Sequence, residues 1–131
     1  MKLKNLLLKE NKDFEAKSEA IDNTSDLNVL KYLAENDSDY RIRLKAVERI
    51  SDGEFLKSVA FNDSNRNVKI IAVERIDNQE YLEKIAKTHS DCHVRISAVK
   101  RINDKSVLEA ISKTDSNRHV RNAALEILNL Q

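Results

Sequence analysis

Ala46-Val47-Glu48-Arg49-Ile50 recurs as Ala72-Val73-Glu74-Arg75-Ile76, as Ala98-Val99-Lys100-Arg101-Ile102 and, altered, as Ala124-Leu125-Glu126-Ile127-Leu128. The copies begin at 46, 72, 98 and 124, each 26 residues after the last, with no insertion between them. One further step back from Ala46 lies Ala20-Ile21, so five units of 26 account for 130 of the 131 residues. A fixed period of this length marks a repeat architecture, in which each unit buries its apolar face against its neighbours.

The unit from Ser51 to Ile76 reads as two helices. Ser51-Asp52-Gly53-Glu54 has the spacing of a capping box, and Asp77 and Glu80 repeat it one unit on. Phe55, Leu56, Val59 and Ala60 then form one apolar stripe of a first helix of about ten residues. The matching stripes are Val29, Leu30, Leu33 and Ala34; Tyr81, Leu82, Ile85 and Ala86; and Val107, Leu108, Ile111 and Ser112. A turn of four short polar residues follows, Asn62-Asp63-Ser64-Asn65, whose side chains compete for backbone hydrogen bonds and cap what comes next. The second helix places Val68, Ala72 and Ile76 on one line, with Ile70 and Val73 widening the arc. An arc this wide requires burial on more than one side. Small Ala at 46, 72, 98 and 124 marks where helices approach closely.

The spacings Asp37-x5-Arg43-x2-Ala46, Asp63-x5-Lys69-x2-Ala72 and Asp115-x5-Arg121-x2-Ala124 resemble HEAT-type repeats, in particular the short ones of phycobilisome-lyase-like HEAT proteins. The resemblance spans all five units and is strong in the four from 27 to 128. It implies an all-α chain, a right-handed α/α superhelix (solenoid) of five 26-residue two-helix repeats, with first helices convex and second helices concave. The expected layout is a single domain over 1–131, with repeats at about 1–24 (a cap), 25–50, 51–76, 77–102 and 103–128. Leucine-rich variant repeats are the second resemblance, since the unit is shorter than most HEAT repeats. In the first unit Lys4 takes the Leu30/Leu56 position, while Ala16 and Thr24 replace larger apolar residues, as a terminal cap requires. The other end, with Leu125, Ile127, Leu128 and Leu130, is not made polar, so it either packs locally or stacks on another chain.

Composition narrows the function classes. Lys plus Arg total 23 against 22 Asp plus Glu, a net charge of +1, which lacks the basic excess of a dedicated nucleic-acid binder. There is no Pro and one Gly. The single cysteine, Cys92, excludes an internal disulfide and fits a reducing compartment. Met1 to Leu8 is too short and broken for a signal peptide, and no stretch is long enough to span a membrane, so the expected location is cytoplasmic.

Three constellations stand out. Arg43, Lys69, Arg95 and Arg121 form a basic row where HEAT proteins carry a recurrent Arg, and as a phosphate-binding groove this row would suit nucleic acid or another polyanion. The row falls inside the apolar arc, however, about 60° from the central Ala. Stems lying on apolar surface and heads paired with the turn residues Asp37, Asp63 and Asp115 are therefore the favoured reading, a structural polar ladder that His89 interrupts in the fourth unit. Arg49, Arg75 and Arg101 form a second row beside Glu48 and Glu74, consistent with ion pairs between repeats. His89, Cys92 and His93, with His119 one unit on, suggest zinc by residue type, but adjacent Cys92 and His93 point different ways around a helix. No metal and no cofactor is expected.

No nucleophile-base pair, off-pattern carboxylate pair or Gly-rich phosphate loop is present, so the chain is not expected to be an enzyme. A lyase-like role rests on the family resemblance alone. What remains is the variable part of the second helices: Arg41, Asn67, His93 and His119 in one row, Lys45, Ile71, Ser97 and Ala123 in the next. A fixed scaffold with a variable face is the design of a non-catalytic scaffold or adaptor that binds a protein or peptide on its concave face. Binding of nucleic acid or a polyanion through the basic rows is the alternative, and self-association through the apolar carboxy-terminal end is a further expectation.

Overall fold

A computed structural model describes residues 14–130, and the chain divides into two compact units, Met1–Ser51 and Asp52–Gln131. The division falls beside the boundary between the second and third repeats. The described residues are all-helical, with no strand among them. The first unit contains α1 (Phe14–Asn23), α2 (Leu27–Asn36) and α3 (Tyr40–Val47). The second contains α4 (Gly53–Asn62), α5 (Arg66–Arg75), α6 (Gln79–Thr88), α7 (Cys92–Val99), α8 (Lys105–Thr114) and α9 (Arg118–Asn129). Helices α2, α4, α6 and α8 start at 27, 53, 79 and 105, and the alternating set starts at 14, 40, 66, 92 and 118. The 26-residue period of the sequence is thus the period of the helices.

Each helix from α2 onward begins where a short polar side chain can accept a first-turn amide. Asp39, Asn65, Asp91 and Asn117 cap α3, α5, α7 and α9 from the last position of the polar turn. The first helices are capped one residue later than the capping-box spacing suggests. Asp52, not Ser51, accepts the Phe55 N–H at 3.3 Å, and Asn78, not Asp77, accepts the Tyr81 N–H at 3.1 Å. The helices start at Gly53 and Gln79, so only residues 52 and 78 stand close enough to reach those amides.

Within the first unit α2 packs on α3 and α3 on α1. Within the second, α4 packs on α5, α6 on α7 and α8 on α9, while α5 lies against α7, α7 against α9, and α4 against α6. Each inner second helix therefore has its own first helix on one side and a second helix on another. That is the physical origin of its wide apolar arc. Ala46, Ala72, Ala98 and Ala124 are fully buried, as are Leu56, Leu82 and Leu108 on the first helices. Burying one such leucine contributes about 1.5–3 kcal/mol. Of the proposed cap residues, Lys4 lies outside the described residues; Ala16 is exposed on α1 and Thr24 is buried just past its end.

Candidate docking face and its polar ladder

The basic row of Arg43, Lys69, Arg95 and Arg121 is half-buried, with Arg95 its one buried member. Arg95 reaches from α7 to the turn before α9, where Nε and Nη2 donate to the two carboxylate oxygens of Asp115 at 3.1 Å each. Its Nη1 donates to the carbonyl of His89 at 2.8 Å, so one guanidinium ties its own turn to the next. Only 9% of Arg95 is exposed. The first unit contains the same rung built with an ammonium: Lys17 Nζ donates to Asp37 Oδ2 at 2.7 Å, both buried. Lys17 precedes Arg43 by one period and is a member of the row that the pattern of Arg and Lys from 43 onward misses. Arg43 and Arg121 donate to the carbonyls of Asp37 and Asp115 at 2.9 and 2.7 Å.

The turn aspartates have a second task. Asp37, Asp63 and Asp115 each accept the backbone N–H two residues on, at 2.9, 2.8 and 2.9 Å, which sets the turn that presents the next helix cap. His89 performs this task with a ring nitrogen: Nδ1 accepts the Asp91 N–H at 3.0 Å. Nε2 then carries the proton and donates to the carbonyl of Ala60 at 2.8 Å. The ring lies 3% exposed, stacked on Phe61 with centroids 5.4 Å apart and planes 23° apart. What the imidazole does not supply is a negative charge. Lys69, which stands one period before Arg95 and faces this turn by register, makes no ion pair, unlike Lys17 and Arg95. The ladder expected over Arg43, Lys69, Arg95 and Arg121 therefore lacks an ion pair at Lys69, where position 89 carries an imidazole in place of the carboxylate found at 37 and 115.

In the second arginine row Arg49 and Arg101 meet backbone rather than the neighbouring glutamates. Arg101 Nη1 donates to the carbonyls of Val73 and Glu74 at 2.7 and 3.0 Å and to that of Ile76, all at the end of α5. Arg49 Nη1 does the same at the end of α1, to Thr24 at 2.5 Å and to Ile21. The last carbonyls of a helix lack intrahelical partners and carry the negative end of its dipole, so a guanidinium from the following repeat is a fitting cap. Of the ion pairs expected along this row, Arg49 makes none, and Arg101 meets the carboxylate of Asp77 at 3.4 Å rather than a glutamate.

The candidate face consists of what these bonds leave over. In the first unit Arg41 is engaged, donating to Asp39 at 2.8 and 3.1 Å and lying 4.2 Å over the Phe14 ring, and Lys45 approaches Asp22 at 3.4 Å. The Arg41 hydrogen bond holds the Asp39 carboxyl below its usual pKa. In the second unit α5, α7 and α9 lie side by side. They expose Asn67, His93 and His119, with Ile71, Ser97 and Ala123 half-buried beside them. Ser97 Oγ donates to the Val94 carbonyl at 2.8 Å, whereas the side chains of Asn67, His93 and His119 make no hydrogen bond within the described chain. At the edge of this face Arg66 Nε donates to Asp91 Oδ2 of the next repeat at 2.8 Å. Burial opposes ionisation of Asp91, yet the Arg66 hydrogen bond and the His93 N–H together keep its pKa lowered.

No group of three or more His, Cys, Asp or Glu among the described residues could hold a metal. His89 has both ring nitrogens engaged, and Cys92 is half-buried. A depression of about 270 Å³ opens beside Lys87, His89, Arg95, Thr114 and Asp115. Its buried charges, Arg95 and Asp115, pair with one another at 3.1 Å. No helix among the described residues is long and apolar enough to cross a membrane. No protein-family model, no curated protein and no solved structure matches this chain.

Proposed function

We propose that the chain is a HEAT-like α-solenoid of five repeats acting in the cytoplasm as a non-catalytic scaffold, which docks a protein or peptide on the exposed face of its second helices. The observation that carries this reading is the partition of polar groups. The residues that recur, Arg43, Arg95, Arg101 and the turn aspartates, are consumed in bonds inside the chain. The residues that vary, Asn67, His93 and His119, stand exposed with their side chains unengaged, beside the apolar Ile71 and Ala123. Rigid backbone under an adaptable, shallow, mixed-polarity face suits protein recognition. The same partition weakens the polyanion alternative, because the buried Arg95 is already neutralised by Asp115.

The test is affinity capture from native lysate with the intact chain and with the double variant Ile71→Asp, His93→Asp. Loss of the captured protein with an unchanged circular dichroism spectrum supports the reading. Undiminished capture moves the site off this face.

A further inference from the structure

The outward side of α9 is chemically incomplete in a way the preceding repeats make legible. Arg118 holds the position of Arg66, whose Nε donates to a carboxylate of the next repeat, Asp91, at 2.8 Å. Arg118 makes no such bond and is exposed. Arg121 holds the position of Arg95, which grips both oxygens of Asp115. Arg121 keeps only the bond to its own turn, Nη1 to the Asp115 carbonyl, and its remaining donors have no partner. Leu125 holds the position of Val73 and Val99, which are fully buried, yet Leu125 is 43% exposed. Residues 118, 121 and 125 are spaced to share one helix face.

We propose that this side of α9 is a docking surface for a helical hairpin whose connecting turn carries two carboxylates in the spacing Asp-x-Asp. The internal repeats define both features of the occupant. The first carboxylate takes the place of Asp115 against the open side of Arg121, and the second takes the place of Asp91 against Arg118. An apolar stripe on the hairpin covers Leu125, as the repeat structure covers Val73 and Val99. The surface continues the α5–α7–α9 packing and is separate from the row of Asn67, His93 and His119, so it stands or falls independently of the docking reading above.

A labelled synthetic peptide of residues 103–128 carrying Asn117→Asp, stapled within each helix and shown helical by circular dichroism, supplies the apolar stripe and an Asp-Ser-Asp turn, and its binding to the full chain is followed by fluorescence polarisation. The expected result is saturable binding that weakens as salt rises. It should fall by at least about tenfold when both turn aspartates of the peptide become asparagine. The chain variant Arg118→Glu, Arg121→Glu should lose binding of the acidic peptide and regain binding of one with lysine at the two turn positions. The peptide-side changes leave the chain untouched, so a misfolded variant cannot obscure the result. Absence of binding, or binding indifferent to the charges on either side, overturns the proposal.

Discussion

The turn between α8 and α9 and the turn between α6 and α7 share one backbone design and differ in one side chain. In the first, Asp115 accepts the Asn117 N–H and receives the guanidinium of Arg95. In the second, His89 accepts the Asp91 N–H with Nδ1 and spends Nε2 on the Ala60 carbonyl. The local task, holding the turn so that the next cap is presented, is met in both. The long-range task of neutralising the ladder cation of the preceding repeat is met at position 115 and not at position 89, and the α6–α7 turn pairs instead with Arg66, through Asp91 at 2.8 Å. The comparison separates two roles that a plain Asp ladder fuses: shaping a turn needs an acceptor, whereas neutralising the ladder cation needs a charge.

The largest effect that would sharpen this contrast is expected from Asp115→Ala. It removes the turn acceptor and leaves the Arg95 guanidinium buried without a counter-ion, which costs about 3–5 kcal/mol. His89→Ala removes a turn acceptor and a buried donor but strands no charge, so about 1–3 kcal/mol is expected. Urea unfolding of both variants measures the difference. Equal losses would mean that the ion pair adds nothing to the rung and that turn shaping accounts for both.

Most of the architecture was legible because repetition multiplies weak signals. One Ala-Val-Glu-Arg-Ile says little, but four in register located the buried alanines, and the polar turns ending at 39, 65, 91 and 117 located the starts of α3, α5, α7 and α9. The cap at Asp52 was misplaced by one position because Ser51 and Asp52 are both good caps, and only the observed helix start chooses between them. The Arg49 and Arg101 bonds were not legible, since their partners are carbonyl groups, which every residue carries and no sequence pattern marks. Lys17 was recoverable by counting one period back from Arg43, and a row begun at Arg43 omits it. For the face, the sequence marks which rows vary. It does not reveal that Arg41 and Lys45 meet Asp39 and Asp22 while Asn67, His93 and His119 keep free side chains, because that depends on where neighbouring side chains reach.

The smallest expected effect tests the comparison most directly. Lys69 occupies the ladder position but makes no ion pair, so Lys69→Met should change stability by no more than about 0.5 kcal/mol. The same substitution in a His89→Asp background should cost more. There position 89 carries a carboxylate, as position 37 does where Lys17 and Asp37 meet at 2.7 Å in the first unit. A double-mutant cycle over positions 69 and 89 isolates the term, since each single change also alters packing and local hydrogen bonds that the cycle cancels. The coupling between lysine and the introduced aspartate should be favourable by about 1 kcal/mol or more, because a rung shielded from solvent exceeds the exposed-pair range. A coupling near zero would mean that register alone does not bring the two side chains together. The missing charge at position 89 would then no longer explain why Lys69 lacks an ion pair.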